Sequence, residues 1–358
     1  MHYSYSDKNT PFVLSPESLD FHLAKGWYRM GSNIFTTHFL FFKERPFSAI
    51  WLRLDLKDFK FSKSQRKLLR RNATHFAPAT APRTIDEERN DLYTVYANNF
   101  DGRLSPSISD SLEDYNGETV FNTYETTVRE KESGQLAACS YFDLGANSAA
   151  SILGFYHPSM QSFSLGYYTM LLEIEYCLEN DIQYYYPGYV APGYDRFDYK
   201  LRLGNCDYFD LRTESWLPYD AEELAREGPV EIQQSKLGEL VGALQDKGIK
   251  TLLSTYPLFE AGLYDVWNDD YVPYPYFYSL GVDSAKNLIV VCFDPKEREF
   301  LVLQCNHMVQ TQLLFNAQYL NGLKENDCFT DLLSIGSVLF RTMDSNIIIK
   351  ACTSLLGK

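Results

Sequence analysis

The stretch IQYYYPGYVAPGYDRFDYKLRLG, Ile182 to Gly204, decides the fold. It opens as an aromatic strand, breaks at Pro187-Gly188, crosses a loop holding Pro192 and Gly193, and ends in Tyr199, Lys200 and Arg202. Directly before it, LGYYTMLLEIEYCLEND sets Tyr167, Met170, Leu171, Ile174, Cys177 and Leu178 at three- and four-residue spacing, the apolar face of a helix, with Glu173, Glu175 and Glu179 elsewhere on it. AASILGFYHP, Ala149 to Pro158, is a second strand candidate upstream. The unit is strand, helix, strand, and a right-handed crossover puts both strands in one sheet.

The 358 residues exceed one typical domain. Hydrophobic residues make 45% and aromatics 15%, a composition for packed sheets and aromatic pockets rather than disorder. No run approaches the roughly 18 apolar residues of a membrane span, and MHYSYSDKNTPFVL lacks the blocks of a secretory signal, so a soluble, cytoplasmic protein is expected. Seven scattered cysteines without a CxxC pair predict reduced thiols and no metal site. The net charge of -14 disfavours nucleic-acid binding through the overall field. Locally the field reverses: KFSKSQRKLLRR carries Lys60, Lys63, Arg66, Lys67, Arg70 and Arg71 with no acid.

In chain order, Ser15-Pro16 starts a helix ending at Gly26, and strands are expected at Phe39 to Phe42 and Trp51 to Leu56. Ser62 or Ser64 caps a basic helix. HFAPATAPRT reads as a loop, Asp86 to Phe100 as a helix, and Glu118 to Val128 and Gln135 to Phe142 as strands. An acidic helix stops at Gly228-Pro229. Beyond it come a helix at Leu237 to Leu244, a hairpin turning at Asp294-Pro295, helices near Val309 to Leu323 and Phe329 to Arg341, and a last strand at Asn346 to Cys352.

Ordered motifs across residues 15 to 220 carry a resemblance. They are GWYRMG (Gly26 to Gly31), DFKFSKSQRKLLRRN (Asp58 to Asn72), His157-Pro158, Ser164-Leu165-Gly166, Gly188-Tyr189, Tyr199-Lys200 and Trp216-Leu217-Pro218. The set resembles the arginyl-tRNA-protein transferases. Two departures stand out: no cysteine lies between the first two motifs, where that family has a cluster, and Tyr194-Asp195-Arg196-Phe197 replaces its Pro-Lys-Met segment.

The resemblance implies an α+β chain: a GNAT-like mixed sheet with flanking helices at 76–225, preceded by a small α+β region at 1–75 that holds the basic segment and followed by an α+β region at 226–358. It also implies transfer of arginine from arginyl-tRNA to the amine of a protein N-terminus, peptide or small molecule, with aminoacyl-tRNA as co-substrate, no separate cofactor, and no DNA or membrane partner. An ester donor is already activated, so the task is to hold a neutral amine against the carbonyl and stabilise the oxyanion. Tyr189, Tyr199 and Asp143 are the candidate catalytic groups. Lys60, Lys63, Arg66, Lys67, Arg70 and Arg71, with Ser164, Gly166, Gly188, Arg196, Lys200 and Arg202, are the candidates for tRNA and substrate contacts. Core packing competes for each tyrosine, and a solvated strand competes for Lys200 and Arg202. Three readings stay open beside the main one: dipeptide or cyclodipeptide synthesis from charged tRNA, coenzyme A-dependent acyl transfer, and a silent tRNA- or protein-binding module. QSFSLGYYT offers a pyrophosphate only one glycine, Gly166, which weakens the coenzyme A reading.

Overall fold

Short runs of β-branched and aromatic residues punctuated by Gly, Pro and Asp give this chain many strands and few long helices. The computed structural model describes residues 5–102, 104–249, 252–264, 270–308, 322–323 and 328–355. Its strands begin with β1 (Ser6–Asn9), β2 (Tyr28–Met30), β3 (Asn33–Thr37), β4 (Phe39–Phe42), β5 (Arg45–Ser48), β6 (Ile50–Asp55) and β7 (Phe76–Pro82). They continue with β8 (Thr123–Glu130), β9 (Leu136–Leu144), β10 (Ser148–Tyr156), β11 (Tyr184–Val190), β12 (Asp207–Asp210) and β13 (Ser215–Pro218). The last are β14 (Leu252–Thr255), β15 (Tyr276–Val282), β16 (Leu288–Asp294), β17 (Glu299–Met308) and β18 (Leu332–Thr342). The helices are α1 (Pro16–Ala24), α2 (Lys63–His75), α3 (Glu87–Asn98), α4 (Ile108–Leu112), α5 (Leu165–Glu179), α6 (Ala221–Glu227), α7 (Pro229–Gln245) and α8 (Ser345–Leu355). Among the described residues no helix is long and apolar enough to cross a membrane.

The central sheet has the order β13-β12-β6-β11-β10-β9-β8-β7 and is mixed, because β10 and β11 run parallel across the α5 crossover while their other neighbours are antiparallel. This is the α+β mixed sheet with flanking helices expected from the sequence. β6, from within residues 1–75, lies beside β11 in the middle of it. Helix α5 packs Leu171, Ile174 and Cys177, all fully buried, against Leu52, Leu54, Phe142 and Tyr185 on one face. Burying each of the larger apolar side chains stabilises by about 1.5–3 kcal/mol. Helix α1 covers the other face through Leu19 and Leu23, against Trp51, Ala150 and Tyr186.

A second, five-stranded sheet, β14-β15-β16-β17-β18, forms its own core with α7 and α8. It is tied to the start of the chain. The Tyr5 hydroxyl donates to Asp294, which also accepts from Tyr274 at 2.8 Å, and Ser48 donates to Glu231 at 2.5 Å.

Four local expectations are corrected. HFAPATAPRT holds an edge strand, β7, rather than a loop; with a neighbour only at β8, it tolerates Pro78 and Pro82. Phe329 to Arg341 contains strand β18, not a helix, since pairing with β17 from Phe300 to Met308 outweighs local helix spacing. Asn346 to Cys352 is helical: the Asp344 carboxylate accepts from the Asn346 amide at 2.7 Å at the helix start, and Ile348 and Cys352, four apart, are the buried pair. Lys200 and Arg202 sit on a 3-10 segment, Asp195–Leu203, instead of a strand. The helix expected near Val309 to Leu323 falls largely outside the described residues.

Candidate active site

Strands β10 and β11 pair at only three positions, Ser148 with Tyr184, Ala149 with Tyr185 and Ala150 with Tyr186, and then diverge. Two sequence features separate them. β10 carries a bulge between Ser151 and Leu153, and β11 shifts register between Tyr185 and Gly188, where Pro187 has no amide to donate. Gly188 has φ 90°, and a Cβ there would lie 3.1 Å from the Lys200 Nζ. The opening between the strands is a cleft of about 2140 Å³. That exceeds the roughly 300–1,000 Å³ of a small-molecule pocket and leaves room for two substrates at once.

The first turn of α5 borders the cleft through Ser164 and Gly166. Ser164 lies in the left-handed region (φ 53°, ψ 45°), and no side chain caps the helix, so its first amides keep their positive end for a ligand. Aromatic rings form a wall: Tyr189 and Phe197 meet edge to face at 5.3 Å, Tyr194 and Phe197 at 5.4 Å, and Phe42 lies 4.7 Å from Tyr194.

Cations are set into this wall. The Lys200 Nζ donates to the Tyr189 carbonyl at 2.9 Å and lies 5.2 Å from the centres of both the Tyr189 and Phe197 rings. No carboxylate pairs with it among the described residues, and desolvation lowers its pKa to about 8. Arg196 stacks 3.9 Å over Phe100 and donates to the Asp101 carbonyl, while Arg202 lies 4.9 Å over Tyr167.

Helix α2 adjoins the mouth. Its start is a capping box, Ser62 with Gln65. The buried Gln65 amide donates to the Tyr167 hydroxyl at 3.1 Å and to the carbonyls of Arg202 and Leu203 at 3.0 and 2.9 Å. Asn72, one face-repeat on, donates to the Phe163 carbonyl at 2.9 Å. These two anchors turn Lys63, Arg66, Lys67, Arg70 and Arg71 outward, and Lys60 precedes them on the exposed approach.

The cleft thus gathers Tyr189, Tyr199, Ser164, Gly166, Gly188, Arg196, Lys200 and Arg202. Tyr199 is 38% exposed, and desolvation pushes its hydroxyl up to about 12; burial also raises Tyr189. At neutral pH both are donors, not bases. Asp143 does not join them. It is fully buried, on the face away from α5, and binds Arg29 at 2.7 Å and Thr123 at 2.6 Å. That bonding is structural, and it corrects the expectation of a cleft-lining carboxylate.

Sequence reasoning missed Glu173, Ser140 and Ser151. Glu173 is fully buried against the sheet, accepting from the Ser140 hydroxyl at 2.5 Å and the Tyr185 hydroxyl at 2.6 Å. The signal was present: Glu173 lies three residues after Met170 and four before Cys177, on the face they define.

Residues 88–210, which contain most of this cleft, match a family model described as arginine-tRNA-protein transferase, C terminus. An aspartate/glutamate leucyltransferase of Phenylobacterium zucineum is 29% identical over 49% of this chain and 70% of its own length. The enzyme of the same name from Vibrio cholerae is 29% identical over 54% of this chain and 80% of its own. A solved structure of FemX aligns at 12% identity and a TM-score of 0.34 over 54% of this chain and 65% of that one. What the chain shares with its sequence relatives is a tRNA-dependent aminoacyltransferase domain, and the chain is an aminoacyltransferase.

Proposed function

We propose that the chain transfers arginine from arginyl-tRNA to the α-amino group of a protein or peptide acceptor whose first side chain is acidic. The observation that carries the reading is the Lys200 ammonium, held on the Tyr189 carbonyl between the diverging strands and without a carboxylate partner among the described residues. The tRNA acceptor stem lies along the outward cations of α2, and its charged end enters past Arg202. The aromatic wall takes the flat guanidinium face to face. The acceptor amine attacks the ester carbonyl, and Lys200, together with amides of the β10 edge released from β11, stabilises the oxyanion. Lys43 and Arg196 on the cleft lining suit an acidic acceptor side chain. The acidic acceptors in the names of the similar leucyltransferases support the same choice.

Leucine is the second reading for the donor, favoured by those same names and by a wall built of the aromatic rings of Phe42, Tyr189, Tyr194 and Phe197. The test offers arginyl-tRNA and leucyl-tRNA, each labelled, with peptides beginning Asp, Glu or Ala. Arginine on the Asp and Glu peptides, abolished by ribonuclease, is expected. Leucine alone on those peptides overturns the choice of donor. Ribonuclease-insensitive acyl transfer from acetyl-coenzyme A overturns the tRNA dependence.

A further inference from the structure

We propose that Glu173 is the proton store of the transfer reaction, receiving the acceptor amine's proton through Ser140 and Ser151, two residues of the cleft lining. The proposal rests on the amide-forming reading above.

Glu173 is 0% exposed, on the face of α5 that packs on the sheet. Everything facing it is a neutral hydroxyl, a phenol or a thiol. Ser140 on β9 donates to one carboxylate oxygen and Tyr185 on β11 to the other; Ser151 on β10 neighbours it, Cys177 neighbours it on its own helix, and Tyr199 faces it from the 3-10 segment. No cation forms an ion pair with it among the described residues. A buried carboxylate without a counter-charge costs several kcal/mol when ionised, so a purely structural site would favour Gln or Leu.

Its position is what makes it useful. Ser140 and Ser151 line the cleft at the point where β10 leaves β11, on the side of Gly154 and Thr169. Each hydroxyl has a single proton. When that proton is given to Glu173, the oxygen turns its lone pairs to the cleft and accepts from an amine there. Desolvation holds Glu173 up at about 7, close to the working range of an α-amine.

The step balances. The neutral acceptor amine forms the C–N bond to the ester carbonyl carbon and passes one proton to a serine oxygen, as that serine's own proton moves to the Glu173 carboxylate. The C–O bond to the ribose then breaks, and the proton returns by the same path to the departing ribose oxygen. Glu173 acts through the serines and touches no substrate, so it is a positioning and proton-holding residue.

The test measures single-turnover transfer against pH for the full chain, Glu173→Gln, Glu173→Asp and Ser140→Ala/Ser151→Ala, with aminoacyl-tRNA binding measured alongside. Wild type should lose rate as the pH falls through about 7. Glu173→Gln should lose ~10²–10⁴-fold in rate and keep only the acid limb set by the acceptor amine, with tRNA binding unchanged. Glu173→Asp should restore part of the rate, and the double serine variant should lose the rate while keeping its fold. A Glu173→Gln enzyme with the wild-type rate and pH profile overturns the relay alone. So does a rate loss that tracks a loss of tRNA binding. A wild-type chain silent with every charged tRNA overturns the transfer reading, and the relay with it.

Discussion

Replacing Lys200 by Met isolates one charge in the cleft. With a pKa near 8, the side chain is an ammonium in roughly nine-tenths of molecules at pH 7. Its proton is directed by the Tyr189 carbonyl at 2.9 Å, and the Tyr189 and Phe197 rings flank it at 5.2 Å. Loss of one such oxyanion donor costs about 10²–10³ in rate, or about 2.7–4 kcal/mol of barrier. The pH sign follows from the same burial. The pKa is lowered from 10.5, so the charged form is lost as the pH rises through about 8, and the wild-type rate should fall above that value. Below it the folded state holds an ammonium that the unfolded state solvates better, so Lys200→Met should melt no lower than wild type at neutral pH. Lys200→Arg keeps charge but not the point-like geometry, and should recover only part of the rate. Single-turnover rates from pH 6 to 10, paired with thermal melts, read all of this. A Lys200→Met rate within about threefold of wild type, or a wild-type rate still rising past pH 9, refutes the reasoning.

Two further outcomes follow from the geometry. Arg29→Met strands a fully buried Asp143 and should destabilise by about 3–5 kcal/mol in denaturant unfolding, with Asp143→Asn in the same chain recovering part of it. Lys67→Glu with Arg70→Glu, both on the outward face of α2, should weaken tRNA binding and lower the slope of log affinity against log salt by about two, with the melting temperature unchanged.

Elements whose pattern is local were legible in the sequence. The α5 periodicity, the Ser62 cap and the hairpin at Asp294 each follow from spacing within a dozen residues, and the structure has all three. Where pairing comes from far along the chain, local cues misled. β7 has two prolines and reads as a loop until β8 is placed beside it, and β18 takes its form from β17. The cleft shows the same division. Pro187-Gly188 marks the break in β11 directly, whereas Glu173 is a charged residue whose burial depends on Ser140, Ser151 and Tyr185 arriving from three strands.

The Asp294 carboxylate joins residues 289 positions apart, for Tyr5, directly before β1, reaches it. β1 itself is paired along its length with β3, so this second tie can form only once the β16–β17 hairpin is made. The β4–β5 hairpin, which reaches the cleft through Phe41 and Phe42, is held by a separate long-range tie, the Ser48–Glu231 bond to α7. The central sheet needs neither tie to close, since all eight of its strands lie before residue 219.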